Sequence, residues 1–207
     1  MVHQDLSNHP LLMHLVSRLR DMTLSPLAFR ETLGEIGRCL IYEALKDEVL
    51  GEKEIQTWNE KRVVPVIEEK KMVIIPILRA AMPMVEAILP IFPYATGGFL
   101  AMKRDEESFQ SKLYYDRLPD LSGKKVIVCD PMLATGGSLC DALDAIKAKG
   151  ATDIVSLNII AAPVGVDAVK VKHPDVKVFI AQVDEKLENG YIVPGIGDAG
   201  DRAYNTL

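Results

Sequence analysis

The residues best suited to chemistry stand together in Val126-Ile127-Val128-Cys129-Asp130-Pro131-Met132-Leu133-Ala134-Thr135-Gly136-Gly137-Ser138. The apolar run suits a strand that delivers the Asp130 carboxylate to its carboxyl end, where open α/β sheets bind ligands. Thr135-Gly136-Gly137-Ser138 then turns the chain into a helix. Glycines let backbone N–H groups converge on one point and form an anion nest. A helix N-terminus adds partial positive charge, and the two hydroxyls add donors. A phosphate fits that turn. An ionised carboxylate only accepts hydrogen bonds and suits the vicinal hydroxyls of a ribose. Phosphate beside ribose implies a ribose-phosphate ligand. The segment is neither G-x-x-x-x-G-K-[ST] nor G-x-G-x-x-G, which argues against a P-loop and makes a nicotinamide oxidoreductase a distant reading.

The elements that must hold this turn are legible as periodicity. Leu11, Leu12, Leu15, Val16 and Leu19 share one helical face. Ser25-Pro26 reads as an N-cap with a first-turn proline, and Phe29, Leu33, Ile36, Leu40 and Ala44 continue at helical spacing. Glu54–Trp58 and Arg62–Val66 predict a hairpin. Met72–Ile75 and Lys125–Cys129 read as strands buried on both faces, with Pro76 expected to end regular pairing in the first. A helix is expected over Met84–Ile91, an extended piece over Gly98–Met102, and a helix through Leu139, Leu143 and Ile146 that stops at Gly150. Ile154–Ala161, Val166–Val171 and Val176–Ile180 complete the pattern as strand, helix and strand. This alternation predicts an α/β fold with a mostly parallel sheet flanked by helices, an N-terminal helical region, and one domain over residues 1–207. By its composition the last twenty residues read as loop.

The composition is that of a globular chain. It has 207 residues, 48% of them hydrophobic and 26% charged, which excludes a disordered or coiled-coil chain. The net charge of -5 argues against a broad nucleic-acid surface, so an anionic ligand needs a local positive field. Cys39, Cys129 and Cys140 form neither a disulfide framework nor a zinc site, and a cytoplasmic location is expected. No signal peptide or bilayer-crossing run is visible, so no membrane partner is expected. His3, His9, His14 and His173 have no metal-binding spacing and read as structural or surface residues. Lys124-Lys125 reads as a solvated strand start.

Asp130 through Ser138 resembles the phosphoribosyl diphosphate signature of type I phosphoribosyltransferases, in the version carried by the uracil-specific branch. Most of that superfamily has two adjacent acids here, whereas this chain has Asp130 followed by Pro131, as is typical of the branch. Three further segments match in order, over nearly the whole chain. Pro76-Ile77-Leu78-Arg79-Ala80-Ala81-Met82-Pro83-Met84 is similar to the pyrophosphate loop, and the resemblance assigns Arg79 to the diphosphate. Ala81 and Pro83 occupy positions where the family usually has glycine, the residue that adopts positive φ readily. Arg104-Asp105, Ser108, Tyr114-Tyr115 and Leu118-Pro119 resemble a hairpin arm (103–119) folded over the site, with Arg104 on the diphosphate.

Gly190-Tyr191-Ile192-Val193-Pro194-Gly195-Ile196-Gly197-Asp198-Ala199-Gly200-Asp201-Arg202 is similar to the family's base-binding loop (188–207). The resemblance implies that Tyr191, Ile192, Gly197, Asp198 and Ala199 line uracil, and that Asp198 also faces the diphosphate. It further implies that Asp130, Pro131, Met132, Leu133, Ala134, Thr135, Gly136, Gly137 and Ser138 hold the phosphoribosyl part. Asp130, Arg79 and Arg104 are then the catalytic group. Magnesium is the implied cofactor, carried mainly by substrate and water rather than by direct protein ligands. GTP is an effector in some members, and a homodimer or larger homo-oligomer is implied. Uracil and phosphoribosyl diphosphate are the implied substrates of pyrimidine salvage. Two alternatives stand beside this reading: an RNA-binding pyrimidine regulator on the same scaffold, and a transferase for another base.

Overall fold

The computed structural model describes residues 3–104 and 111–206. In chain order its elements are strand β1 (His3–Asp5), helices α1 (Pro10–Arg20) and α2 (Pro26–Ala44), and strands β2 (Gly51–Gln56), β3 (Lys61–Val66) and β4 (Met72–Leu78). Helix α3 (Met82–Ile88) follows, then β5 (Thr96–Gly97), β6 (Phe99–Arg104), β7 (Ser111–Arg117), β8 (Lys125–Cys129) and β9 (Met132–Leu133). The chain continues with α4 (Gly137–Ala148), β10 (Asp153–Ala161), α5 (Pro163–Lys172) and β11 (Lys177–Val183). It ends with β12 (Lys186–Glu188), β13 (Tyr191–Val193) and α6 (Ala199–Tyr204).

The main sheet runs β1-β11-β10-β8-β4-β6-β7, with β5 beside β4 and β9 beside β10. Every pairing in it is parallel except the β6–β7 hairpin. From β4 the chain moves through α3 toward β6, and from β8 it moves through α4 toward β10. The connections therefore diverge between the neighbouring strands β4 and β8, which is where open α/β sheets place ligands. This mostly parallel, helix-flanked sheet is the fold class expected from the sequence.

Side chains of the central strands alternate between two cores, as a sheet covered on both faces requires. Met72, Ile74, Ile127 and Cys129 pack with α1, α2 and α3 on one face. Val73, Ile75, Val126 and Val128 pack with α4 and α5 on the other. Helix α2 begins as read, with Pro26 in its first turn and Ser25 Oγ accepting from the Ala28 N–H at 3.3 Å. Its Gly34 and Gly37 let α3 approach closely. A Cβ on Gly34 would stand 2.9 Å from Ala87 Cβ.

Three expectations are corrected, and one strand is added. Pro76 does not end the pairing of β4: it pairs opposite Cys129, and Ile77 and Leu78 go on to pair with β6. One missing N–H costs one bond, while the flanking residues keep the ladder on both sides. The last twenty residues are not simply loop, because they hold β13, which pairs back onto β12, and α6. Lys125 is largely buried rather than solvated, and its Nζ lies between Glu48 at 3.0 Å and Asp153 at 2.7 Å. The strand β1, absent from the reading, exists by pairing with β11. Among the described residues, no helix is long and apolar enough to cross a membrane.

Candidate active site

Asp130 follows the last residue of β8, as its apolar run dictates. Its N–H donates to the Leu157 carbonyl at 3.1 Å, and its carbonyl accepts from Asn158 Nδ2 at 2.8 Å. Asn158 is itself buried on β10 and held by Ser156 Oγ at 2.8 Å. Two neighbouring strands thus fix the backbone that carries the carboxylate. Asp130 Oδ1 accepts the Met132 N–H at 3.3 Å. The preceding Cys129 is fully buried, which together with the charge of Asp130 pushes its thiol well above the usual range. It is a packing residue and not a nucleophile.

The turn beyond Asp130 is braced by β10 and α5. Ile160 donates to the Pro131 carbonyl at 3.0 Å, and Ala162 donates to the Leu133 carbonyl at 2.9 Å. Gly136 sits at φ 83°, and a Cβ there would meet the Gly165 carbonyl oxygen at 2.9 Å. Thr135 Oγ1 accepts from the Gly137 N–H at 3.4 Å. Gly137 opens α4, so the helix dipole points its positive end at this turn. The geometry is that of an anion cradle beside a carboxylate.

These residues face a cleft of about 640 Å³ at the divergence of β4 and β8. Of the residues named from the sequence, Asp130, Met132, Leu133, Ala134, Gly136, Ser138, Tyr191 and Asp198 line it. Pro131, Thr135 and Gly137 belong to the same turn without lining the cleft. Ile192 and Ala199 are buried in the core behind the wall, and Gly197 lies in the loop between them. Asp198 caps α6, its Oδ1 accepting from the Asp201 N–H at 2.9 Å.

Arg79 stands at the rim, between the cleft-lining Leu78 and Ala80. Its guanidinium is exposed and reaches Asp201 Oδ1 at 3.1 Å and Thr206 Oγ1 at 3.4 Å. The departure from glycine after it is accommodated: Ala81 is right-handed at φ -81°, and Pro83 falls in the first turn of α3. Neither has positive φ. Arg104 ends β6 opposite Ser111, but its side chain lies outside the described residues, as do Asp105 and Ser108. Met102 of the same strand lines the cleft.

Asn189, Gly190 and Asp201 also line the cleft; they fall within the 188–207 loop read from the sequence but are not among the site residues singled out there. Asn189 (φ 49°) and Gly190 (φ 82°) make the β12–β13 turn, and an Asn-Gly pair between short extended runs is a readable hairpin signal. Asp201 lies three residues after Asp198, on the first turn of α6. Gly195 through Gly200 does spell G-x-G-x-x-G, although the Asp130 segment does not. It follows a three-residue antiparallel strand and opens a six-residue helix, so it lacks the βαβ setting of a dinucleotide site.

A sequence model described as uracil phosphoribosyltransferase matches residues 6–206. The chain belongs to the uracil phosphoribosyltransferase family. It is accordingly an enzyme of the phosphoribosyltransferase class. A uracil phosphoribosyltransferase of Clostridium botulinum (strain Eklund 17B / Type B) is 47% identical over 201 residues, covering 96% of each chain. One from Aquifex aeolicus (strain VF5) is 45% identical over 198 residues, covering 95% of each. A solved structure of an Aquifex aeolicus protein, 45% identical, superposes with a TM-score of 0.95 over 98% of both chains. A purine phosphoribosyltransferase structure from Pyrococcus horikoshii Ot3, at 18% identity, covers 75% of this chain and 85% of its own with a TM-score of 0.52, a likeness of fold alone. In the uracil phosphoribosyltransferase family setting, the cleft at the β4–β8 divergence is the candidate active site.

Proposed function

We propose that the protein converts uracil and 5-phosphoribosyl 1-diphosphate to uridine monophosphate and diphosphate, the salvage reaction of its family. The observation that carries this reading is the convergence on one cleft of a strand-end carboxylate, an anion cradle and a glycine-rich terminal loop. The 5-phosphate sits in the turn from Ala134 to Ser138. The Asp130 carboxylate takes the ribose hydroxyls and offsets the positive charge that builds on the sugar as the leaving group departs.

The bond from the sugar C1′ to the diphosphate oxygen breaks, and its electron pair leaves with diphosphate. Uracil N1 bonds to C1′ and gives up its proton to solvent or to the departing diphosphate. Arg79, released from Asp201, and Arg104 supply fork-shaped donors to the diphosphate. No dedicated base is assigned. The rate comes from positioning and from stabilising the leaving group.

Among the described residues there is no cluster of three acid, histidine or cysteine side chains that could hold a metal by itself. Asp130 and Asp198 nevertheless line the same cleft, which fits a magnesium ion carried largely by diphosphate and water. Bound there, it would neutralise charge on the leaving diphosphate. The terminal loop reads the base through its backbone, where an N–H meets a ring carbonyl and a C=O meets a ring N–H. Cytosine reverses part of that pattern and leaves buried groups unpaired.

The test is a product assay with magnesium, phosphoribosyl diphosphate and labelled uracil, with cytosine and adenine in parallel. Uridine monophosphate in the uracil tube alone is the expected result. No product with any base, while diphosphate still binds, overturns the reading. Homo-oligomeric assembly, GTP activation and a cytoplasmic setting are part of the same proposal, and the same assay with added GTP tests the second.

A further inference from the structure

Consecutive backbone groups of the loop after β13 are gripped from behind by charged side chains that do not line the cleft. Gly195 donates its N–H to Asp184 Oδ2 at 2.8 Å, and its carbonyl accepts from Arg20 Nη1 at 2.7 Å. Arg20 also binds both oxygens of Asp184, at 2.9 and 2.5 Å. One residue on, the Ile196 carbonyl accepts from Arg202 Nη1 at 2.7 Å. The same guanidinium donates to the Leu19 carbonyl and, at 2.6 Å, to the Asp21 carbonyl, and it lies 4.2 Å from the centroid of the Phe29 ring. The Asp184 N–H is tied to Ala161 at the end of β10, at 2.8 Å. The clamp is thereby anchored to the sheet and to α1.

Burying these charges is costly unless their geometry is well satisfied, and here it is. The Asp184 side chain is 2% exposed and Arg202 is 6% exposed. The segment they grip is otherwise loose by composition. Gly195 and Gly197 sit at φ 66° and 72°, where glycine is favoured and where ordering costs most entropy. A Cβ on Gly197 would meet Arg202 Cδ at 3.2 Å, so the arginine stem also packs against the loop. Recognition through backbone groups needs those groups placed to within about 0.5 Å. A guanidinium fork fixes a carbonyl in direction as well as distance, which an ammonium does not.

We propose that the Arg20–Asp184 pair and Arg202 are positioning residues for base recognition. They hold residues 195–197 so that the loop running on to cleft-lining Asp198 presents a fixed pattern to uracil. This rests on the uracil reading above. It goes further by assigning base affinity to residues outside the cleft. The phosphoribosyl turn is braced by separate contacts, from the Ile160 and Ala162 N–H groups and from Gly165 of α5, so the effect falls chiefly on the base.

The experiment is steady-state kinetics with each substrate varied, on the wild type and Arg20→Lys, with melting temperature measured alongside. Lysine keeps the charge but cannot span both Asp184 oxygens and the Gly195 carbonyl. The KM for uracil is expected to rise about tenfold, with the KM for phosphoribosyl diphosphate within about twofold. Discrimination against cytosine falls in parallel. Asp184→Asn, similar in shape, gives the same split and serves if Arg20→Lys does not fold. A wild type that makes no uridine monophosphate sinks the function reading. An active wild type whose variants keep the uracil KM, or raise both KM values together, overturns the positioning role.

Discussion

Asp130 is where the sequence alone carried the argument furthest, because one strand and one turn suffice to place it. Its backbone is fixed by Leu157 and Asn158, so its carboxylate can be changed without loosening the strand. Asp130→Asn keeps shape and removes charge. Turnover is expected to fall about 100-fold or more, the scale of losing one contact to a developing charge. The melting temperature should move little. Unchanged turnover in a folded variant would remove the role given to Asp130. Arg79 shows the opposite case, since nothing in its own neighbourhood foretold a partner 122 residues away. Its contact with Asp201 exists only because β4 and α6 meet at the rim. Arg20, Asp184 and Arg202 were unreadable for the same reason: each reads locally as an ordinary charged residue, and burial against distant carbonyls gives it a purpose.

At the scale of elements, long periodic segments were legible and short ones were not. The helices α1, α2 and α4 and the strands β8, β10 and β11 declare themselves by their own spacing. Strand β1, with three residues, and β9, with two, exist by pairing with β11 and β10, and helix α6 has only six residues. No local pattern could declare them. The packing of the phosphate turn on α5 is likewise invisible in sequence, yet it sets what that turn tolerates. A Cβ on Gly165 would stand 2.4 Å from the Ala134 carbonyl oxygen, which is backbone and cannot rotate clear as the end of a side chain could. Gly165→Ala must therefore push the cradle away from the helix. The expected result is a raised KM for phosphoribosyl diphosphate with the uracil KM little changed, the reverse of the Arg20→Lys pattern. Stability should drop by about 1–3 kcal/mol, the usual range for overpacking. Two-substrate kinetics and a denaturant titration check both halves, and a variant with wild-type phosphoribosyl diphosphate KM would show that the turn has slack.

For the molecule as a whole, stability toward acid turns on a group remote from the cleft. His173 follows α5, is 2% exposed, and places Nε2 3.1 Å from the Cys140 carbonyl. A carbonyl only accepts, so Nε2 carries the hydrogen and Nδ1 the lone pair. Among the described residues Nδ1 is buried without a hydrogen-bond partner. Acid would place a proton there with no acceptor, so burial, reinforced by Lys147, holds the imidazole below its ordinary value of 6.5, although Asp144 pulls the other way. The unfolded chain then binds more protons than the folded one between the two values, and stability rises with pH across that window. The contribution is complete above about pH 6.5 and is lost as pH falls through the lower, folded value. The depressed carboxylates Asp144 and Asp175 act in the same direction, but only below the ordinary carboxylate value of 3.8, so the two effects separate. Urea midpoints at pH 5, 6 and 7 should decline toward acid in the wild type and flatten in His173→Phe, whatever the absolute stability of the variant. Equal slopes in the two proteins would mean that His173 does not set the acid limb, and that the limb belongs to carboxylates elsewhere in the fold.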